Sequence, residues 1–294
     1  HTRCIVVTGV QTCALPTIID SSIDRRHNAF AGASITTMRF VYNESPPNTH
    51  GTAIASIIAS NDPQALGLAP SAQIYAAEVF DHNEQQGEFA STVSLIKALS
   101  WLMTQDVSVI NISLAGPSNR LLETALTRVR EKGVLAIAAA GNGGPMAQPM
   151  YPAAYPEVVA VTATDDRGRA FRLANRGEYV DIAAPGVNIR HAQAGGGFAA
   201  SSGTSYAVPF VTVAAARLLQ STAEPALMLD ALFFVCGGYA LAVGNTVDSS
   251  AIAYLAVSFD QPVLCPSGID SAGINRYPAN TENMILLCIE PSPL

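Results

Sequence analysis

Four stretches of this chain, residues 74–80, 107–112, 134–140 and 158–164, are apolar almost without interruption and only six or seven residues long. A half-exposed strand alternates polar with apolar residues, whereas a run apolar throughout belongs to a strand covered on both faces. Helical patterns lie between these runs. Residues 91–105 (STVSLIKALSWLMTQ) place Val93, Ile96, Leu99 and Met103 at helical spacing. Residues 119–132 form a second pattern, with Ser118 or Asn119 as N-cap and Gly133 just past its end. Residues 204–220 form a third, apolar and rich in alanine. Strand and helix in alternation predict an α/β domain of three layers, a mostly parallel central sheet with helices on both faces. Ligands of such sheets bind beyond the C-terminal strand ends. Chemistry is therefore expected after Ile19, after Ile112 and after Ala140.

The bulk properties narrow the function classes. A chain of 294 residues holds one large α/β domain or two small ones, and 49% hydrophobic residues imply a packed core. The net charge is −7 and no basic patch stands out, so nucleic acid is not expected as a partner. The five cysteines, Cys4, Cys13, Cys236, Cys265 and Cys288, all lie outside residues 20–220. They suggest neither a disulfide framework nor a metal cluster, and no cofactor or metal is expected. No loop has the acidic ligand spacing of a calcium site.

Both ends differ in character from the middle. Residues 7–16 read VTGVQTCALP, which resembles a translated sequencing adapter; the alternative is an ordinary strand with a turn at Gly9. On the first reading, native sequence begins near Thr17 or Ile18, and a signal peptide, a pro-segment and the first strands are missing. After residue 220, charges are sparse and helical periodicity is hard to find. The apolar run at 232–244 (LFFVCGGYALAVG) is short for a membrane span, which needs roughly 20 residues, so no stable span is expected. The chain thus divides into a non-native or disordered segment (1–17), a domain (18–220) and a C-terminal segment of unknown character (221–294).

Four residues fall where the topology predicts chemistry. A serine hydroxyl needs a base to take its proton, a group to orient that base, and donors for the oxyanion. Ser205, in SGTSYAVP, opens a helix after Gly203, where free N–H groups and the helix dipole favour negative charge. Alone it reads more readily as an N-cap serine. His50, in THGTAIASIIAS, opens another helix; an isolated histidine there is more often a surface residue. Asp20 ends an apolar pair and is placed to accept an imidazole N–H, or to cap a turn; Asp24 is its competitor. Asn142 follows the run LAIAAAG, and its amide can serve an oxyanion or an Asn-Gly turn.

Together the motifs resemble those of the subtilisin-like serine proteases. HGTAIA is similar to that family's histidine motif, AAAGNGGP to its oxyanion-hole segment and GTSYAVP to its serine motif, and the order Asp, His, Ser matches. The resemblance covers about residues 18–220. It implies a subtilisin-like fold and a serine endopeptidase cutting protein or peptide substrates, with Asp20, His50 and Ser205 as triad and Asn142 in the oxyanion hole. It further implies a substrate-pairing segment at Ser113, Leu114, Ala115 and Gly116. A primary specificity pocket would be bordered by that segment and by Ala139, Ala140 and Gly141, open to a large apolar side chain. An extracellular or periplasmic location is the family's usual one. Two departures are visible: Ser22 stands where the family usually has glycine, and Ala53 where it often has a second histidine.

Two rivals remain to be weighed. An α/β-hydrolase needs a histidine after the serine, and all five histidines precede Ser205. A truncated, non-catalytic or peptide-binding relative would keep the motifs without an assembled site. His27 and His82 lie in polar stretches and are expected to be solvated; His191 is expected to be structural.

Overall fold

The computed structural model describes residues 16–41, 48–83 and 87–221, with two short paired strands, Val257–Ser258 and Met284–Ile285. Residues 7–15 of the adapter-like string, the apolar run at 232–244 and all five cysteines lie outside these residues.

Eleven strands and four long helices make up the main body. In chain order they are β1 (Pro16–Asp20), β2 (Ser34–Arg39), α1 (Thr49–Ala59), β3 (Gln73–Glu78), β4 (Phe80–Asn83), β5 (Gly87–Ala90) and α2 (Thr92–Leu102). Then follow β6 (Val109–Ile112), α3 (Arg120–Glu131), β7 (Leu135–Ala139), β8 (Val158–Thr164), β9 (Ile182–Pro185), β10 (Ile189–Ala192), β11 (Phe198–Ser201) and α4 (Thr204–Ser221). Seven strands form one parallel sheet in the order β2-β3-β1-β6-β7-β8-β9, while β4–β5 and β10–β11 form separate antiparallel hairpins. The four apolar runs are β3, β6, β7 and β8, as their two-sided burial predicts.

Period-two alternation divides each strand between two cores. Val109, Ile137, Val161 and Ala184 face α4 in one cluster, whereas Ile110, Ala136, Ala138 and Ala160 join α2 and α3 in another. Ile18, Ile54, Ile58 and Ile74 close a third cluster under α1, which packs on α4. Helices α1 and α4 thus cover one face and α2 and α3 the other, giving the expected three layers.

The α2 stripe differs from the expectation. Leu95, Ala98, Leu99 and Leu102 are buried, whereas Val93 is 54% exposed. Both stripes satisfy helical spacing and share Leu99. Docking on β1 and β3 selected the one in which small Ala98 permits close approach. In α3 the N-cap is Asn119, whose Oδ1 accepts from the amides of Leu121 and Leu122, and Gly133 takes a positive φ of 78° just past the end.

The connections run in opposite directions from β1 and β6, so the sheet's switch point lies between these neighbours. Asp20 ends β1 and Ser113 follows β6, and the site forms there. Among the described residues no helix is long and apolar enough to cross a membrane.

Candidate active site

Asp20 is completely buried at the end of β1. Its Oδ1 accepts from the Ser21 amide at 2.7 Å, the Ser21 hydroxyl at 3.1 Å and His50 Nδ1 at 2.8 Å. Asp24 is directed elsewhere: its Oδ2 accepts from the Gly195 amide at 2.9 Å.

Each residue of the His-Gly-Thr motif has a separate reason to be there. Asn48 caps α1, and its Oδ1 accepts from the His50 amide at 2.7 Å, fixing the first turn. Gly51 passes so close to Ser21 that a Cβ would stand 2.2 Å from the Ser21 carbonyl oxygen. Thr52 is buried; its hydroxyl donates to the Asn48 carbonyl at 2.7 Å and accepts from the Asp24 amide at 2.9 Å. The imidazole is thereby pressed against Asp20 with one third of its side chain exposed. Burial alone lowers its pKa, but the Asp20 charge and hydrogen bond, aided by Glu88, outweigh burial and hold it above 6.5.

Ser205 lies in the first turn of α4. Its hydroxyl donates to the Ser113 carbonyl oxygen at 3.2 Å, not to His50 Nε2. Pro209, four residues on, has no N–H to give the Ser205 carbonyl. The Ser113 hydroxyl lies 3.1 Å from that oxygen and 2.7 Å from Asn111 Oδ1. Asn111, a polar residue in otherwise apolar β6, is fully buried, and its Nδ2 reaches the Thr212 hydroxyl of α4 at 3.3 Å.

Asn142 is exposed just beyond β7. Its Oδ1 accepts from the Thr204 amide at 2.9 Å and the Thr204 hydroxyl at 3.2 Å, which leaves Nδ2 as a donor. Gly203 leaves room for that group, since a Cβ there would stand 3.1 Å from Nδ2. Asp20, His50, Ser113, Asn142 and Ser205 are thus gathered along the sheet's C-terminal edge.

The other expected substrate-contact positions are placed unevenly. Ser113 is buried, Leu114 half-buried and Ala115 exposed, while both backbone groups of Gly116 are paired with Tyr151 at 2.7 and 2.9 Å. Ala139 and Ala140 are buried, and the Ala140 carbonyl accepts from the Tyr179 hydroxyl at 2.8 Å. Gly141 has φ 106°, and a Cβ there would meet Asn175 Nδ2 at 2.7 Å.

His27 departs from its expected solvation. It is buried, with Nδ1 accepting from the Ala29 amide at 3.0 Å and Nε2 donating to the Gly197 carbonyl at 2.8 Å. The long-range partner Gly197, invisible in a local reading, draws it in. His82 is exposed as expected. His191 is buried, stacked on Tyr206 and 2.8 Å from the Ser201 hydroxyl, as a structural histidine should be. Ser22 is not at a positive φ, so no strain arises from the missing glycine.

Sequence reasoning missed Asn48, Thr204 and the Ser113 side chain. Asn48 had a readable signal, an N-cap asparagine before a helical run. The others are set by tertiary packing.

Comparison with known proteins places this architecture. The family model described as the Subtilase family matches residues 17–230, and the chain belongs to that family. It is 36% identical over 219 residues to a thermostable alkaline protease of Halalkalibacterium halodurans, covering 74% of this chain and 58% of that one. It is likewise 36% identical over 215 residues to subtilisin E of Bacillus subtilis, covering 69% and 54%. It thus spans little more than half the length of these relatives. Among solved structures, the patellamide maturation protease PatA superposes with a TM-score of 0.66 at 31% identity, over 76% of this chain and 86% of that one. A cold-adapted subtilisin-like serine proteinase superposes with a TM-score of 0.68 at 28% identity, over 82% and 86%.

Proposed function

We propose that residues 18–220 form the catalytic domain of a serine endopeptidase that hydrolyses peptide bonds in proteins. The observation that carries this reading is the 2.8 Å contact between His50 Nδ1 and buried Asp20 Oδ1 at the sheet edge where α4 begins with Ser205 in its first turn. With its Nδ1 proton donated to Asp20, the imidazole keeps the Nε2 lone pair free for the Ser205 proton.

In the proposed cycle, substrate displaces the Ser205 hydroxyl from the Ser113 carbonyl toward His50. Ser205 Oγ attacks the scissile carbonyl carbon as His50 takes its proton. Asn142 Nδ2 and the Ser205 amide receive the oxyanion at the helix start. His50 then protonates the leaving amine; water attacks the acyl carbon as His50 takes its proton, and His50 passes that proton to Ser205 Oγ as the acyl group departs as a carboxylic acid. Unbound enzymes often hold such catalytic hydrogen bonds long or misdirected, which agrees with the resting position of the hydroxyl.

The test is cleavage of a denatured protein by the purified chain beside Ser205→Ala. New termini that appear only with the serine present support the reading. Equal, absent cleavage by both chains, each folded, contradicts it and favours a non-catalytic relative.

A further inference from the structure

A cleft of about 240 Å³ opens beside His50, lined by Asp20, Ser21, His50, Phe80, Glu88 and Ser113. Two of these residues come from the β4–β5 hairpin. Its register sets Phe80 across from Ala90 and His82 across from Glu88, so these four side chains share one face. Phe80 and Glu88 turn that face toward the cleft. Glu88 is exposed, and its Oε1 accepts a hydrogen bond from Asn48 Nδ2. Asn48 also accepts from the His50 backbone amide, so one side chain holds both the first turn that carries His50 and the Glu88 carboxylate. A neutral donor orients Glu88 without cancelling its charge. Among the described residues no lysine or arginine lines the cleft. Arg39 is paired with Glu78 at 3.2 Å, and exposed His82 is the cross-strand neighbour of Glu88. The Asp20 charge is engaged by His50.

We propose that Glu88 is a specificity-determining residue that selects substrates carrying lysine or arginine beside the scissile bond. The proposal rests on the endopeptidase reading above. The chemistry of the two hairpin residues matches such a side chain in parts. Phe80 offers an apolar surface to the methylene stem, and Glu88 a carboxylate to the cationic head. A large apolar side chain would find Phe80 but would strip water from Glu88 without replacing it.

The experiment uses two fluorogenic peptides that differ only by lysine or methionine at the position that profiling with a peptide mixture identifies beside the cut. Active-site labelling with a fluorophosphonate is run in parallel, and the ratio of kcat/KM values cancels changes in overall activity. The lysine peptide is expected to be preferred about fivefold, the upper range for an exposed ion pair. The preference should fall to near one in Glu88→Gln, weaken in about 1 M salt and reverse in favour of the methionine peptide in Glu88→Lys. A labelled enzyme with the same ratio in wild type and Glu88→Gln, or with an apolar preference in both, overturns the proposal alone. An unlabelled wild-type chain overturns the endopeptidase reading and this inference with it.

Discussion

Ser113 and Ser205 hold each other twice: Ser205 Oγ donates to the Ser113 carbonyl at 3.2 Å, and Ser113 Oγ lies 3.1 Å from the Ser205 carbonyl. The second contact exists because Pro209 cannot supply the helical hydrogen bond at that turn. Ser113→Ala should therefore leave a partly buried carbonyl without a partner and lower stability by about 1 kcal/mol. Adding Pro209→Ala restores an N–H for that oxygen. In urea denaturation the double variant should recover most of the loss, a coupling that independent sites would not show.

Activity should rise with pH through the titration of His50, with a midpoint above 6.5, because Asp20 and then Glu88 outweigh the lowering by burial. Asp20→Asn should move the midpoint down and lower kcat by about 10⁴, the loss known for the equivalent change in another serine protease. The stability consequence has a definite sign. The folded-state value lies above the unfolded one, so His50 contributes stability that is fully present below about pH 6.5. That contribution is lost as the pH rises through the folded value. His50→Gln should therefore destabilise the protein more at acid than at alkaline pH in denaturant titrations.

Gly51→Ala places a methyl group 2.2 Å from the Ser21 carbonyl oxygen, against two backbones that cannot yield independently. A loss of about 3 kcal/mol or more is expected, with a fall in activity because Ser21 also holds Asp20. Thermal unfolding followed by circular dichroism checks the first part, and turnover the second.

Asn142→Ala should lower kcat by about 10²–10³ with little change in KM, the loss known for removing one oxyanion-hole donor in subtilisin. Thr204→Val removes the hydroxyl near Asn142 Oδ1 but keeps the amide contact. It should cost less than Asn142→Ala in the same steady-state assay.

The sheet was legible because its strands are buried on both faces, and composition alone marks such strands. Asp20, His50, Asn142 and Ser205 could be located because strand ends and helix starts are local features. What could not be read depends on contacts distant in sequence. The choice between two stripes on α2 was made by docking, and His27 is buried by a hairpin 170 residues away. Glu88 reaches the cleft only because the β4–β5 register turns it there. Asn111, out of place in an apolar strand, makes sense only once α4 is laid over β6 and Thr212 meets its amide.

Whether Ser205 is the nucleophile is decided by covalent labelling of the folded chain with a fluorophosphonate, with the modified residue located by mass spectrometry. A single adduct on Ser205 is expected, absent from Ser205→Ala and slowed by His50→Gln. Labelling of another serine, or none in a chain shown to be folded, would contradict the assignment of Ser205 as nucleophile.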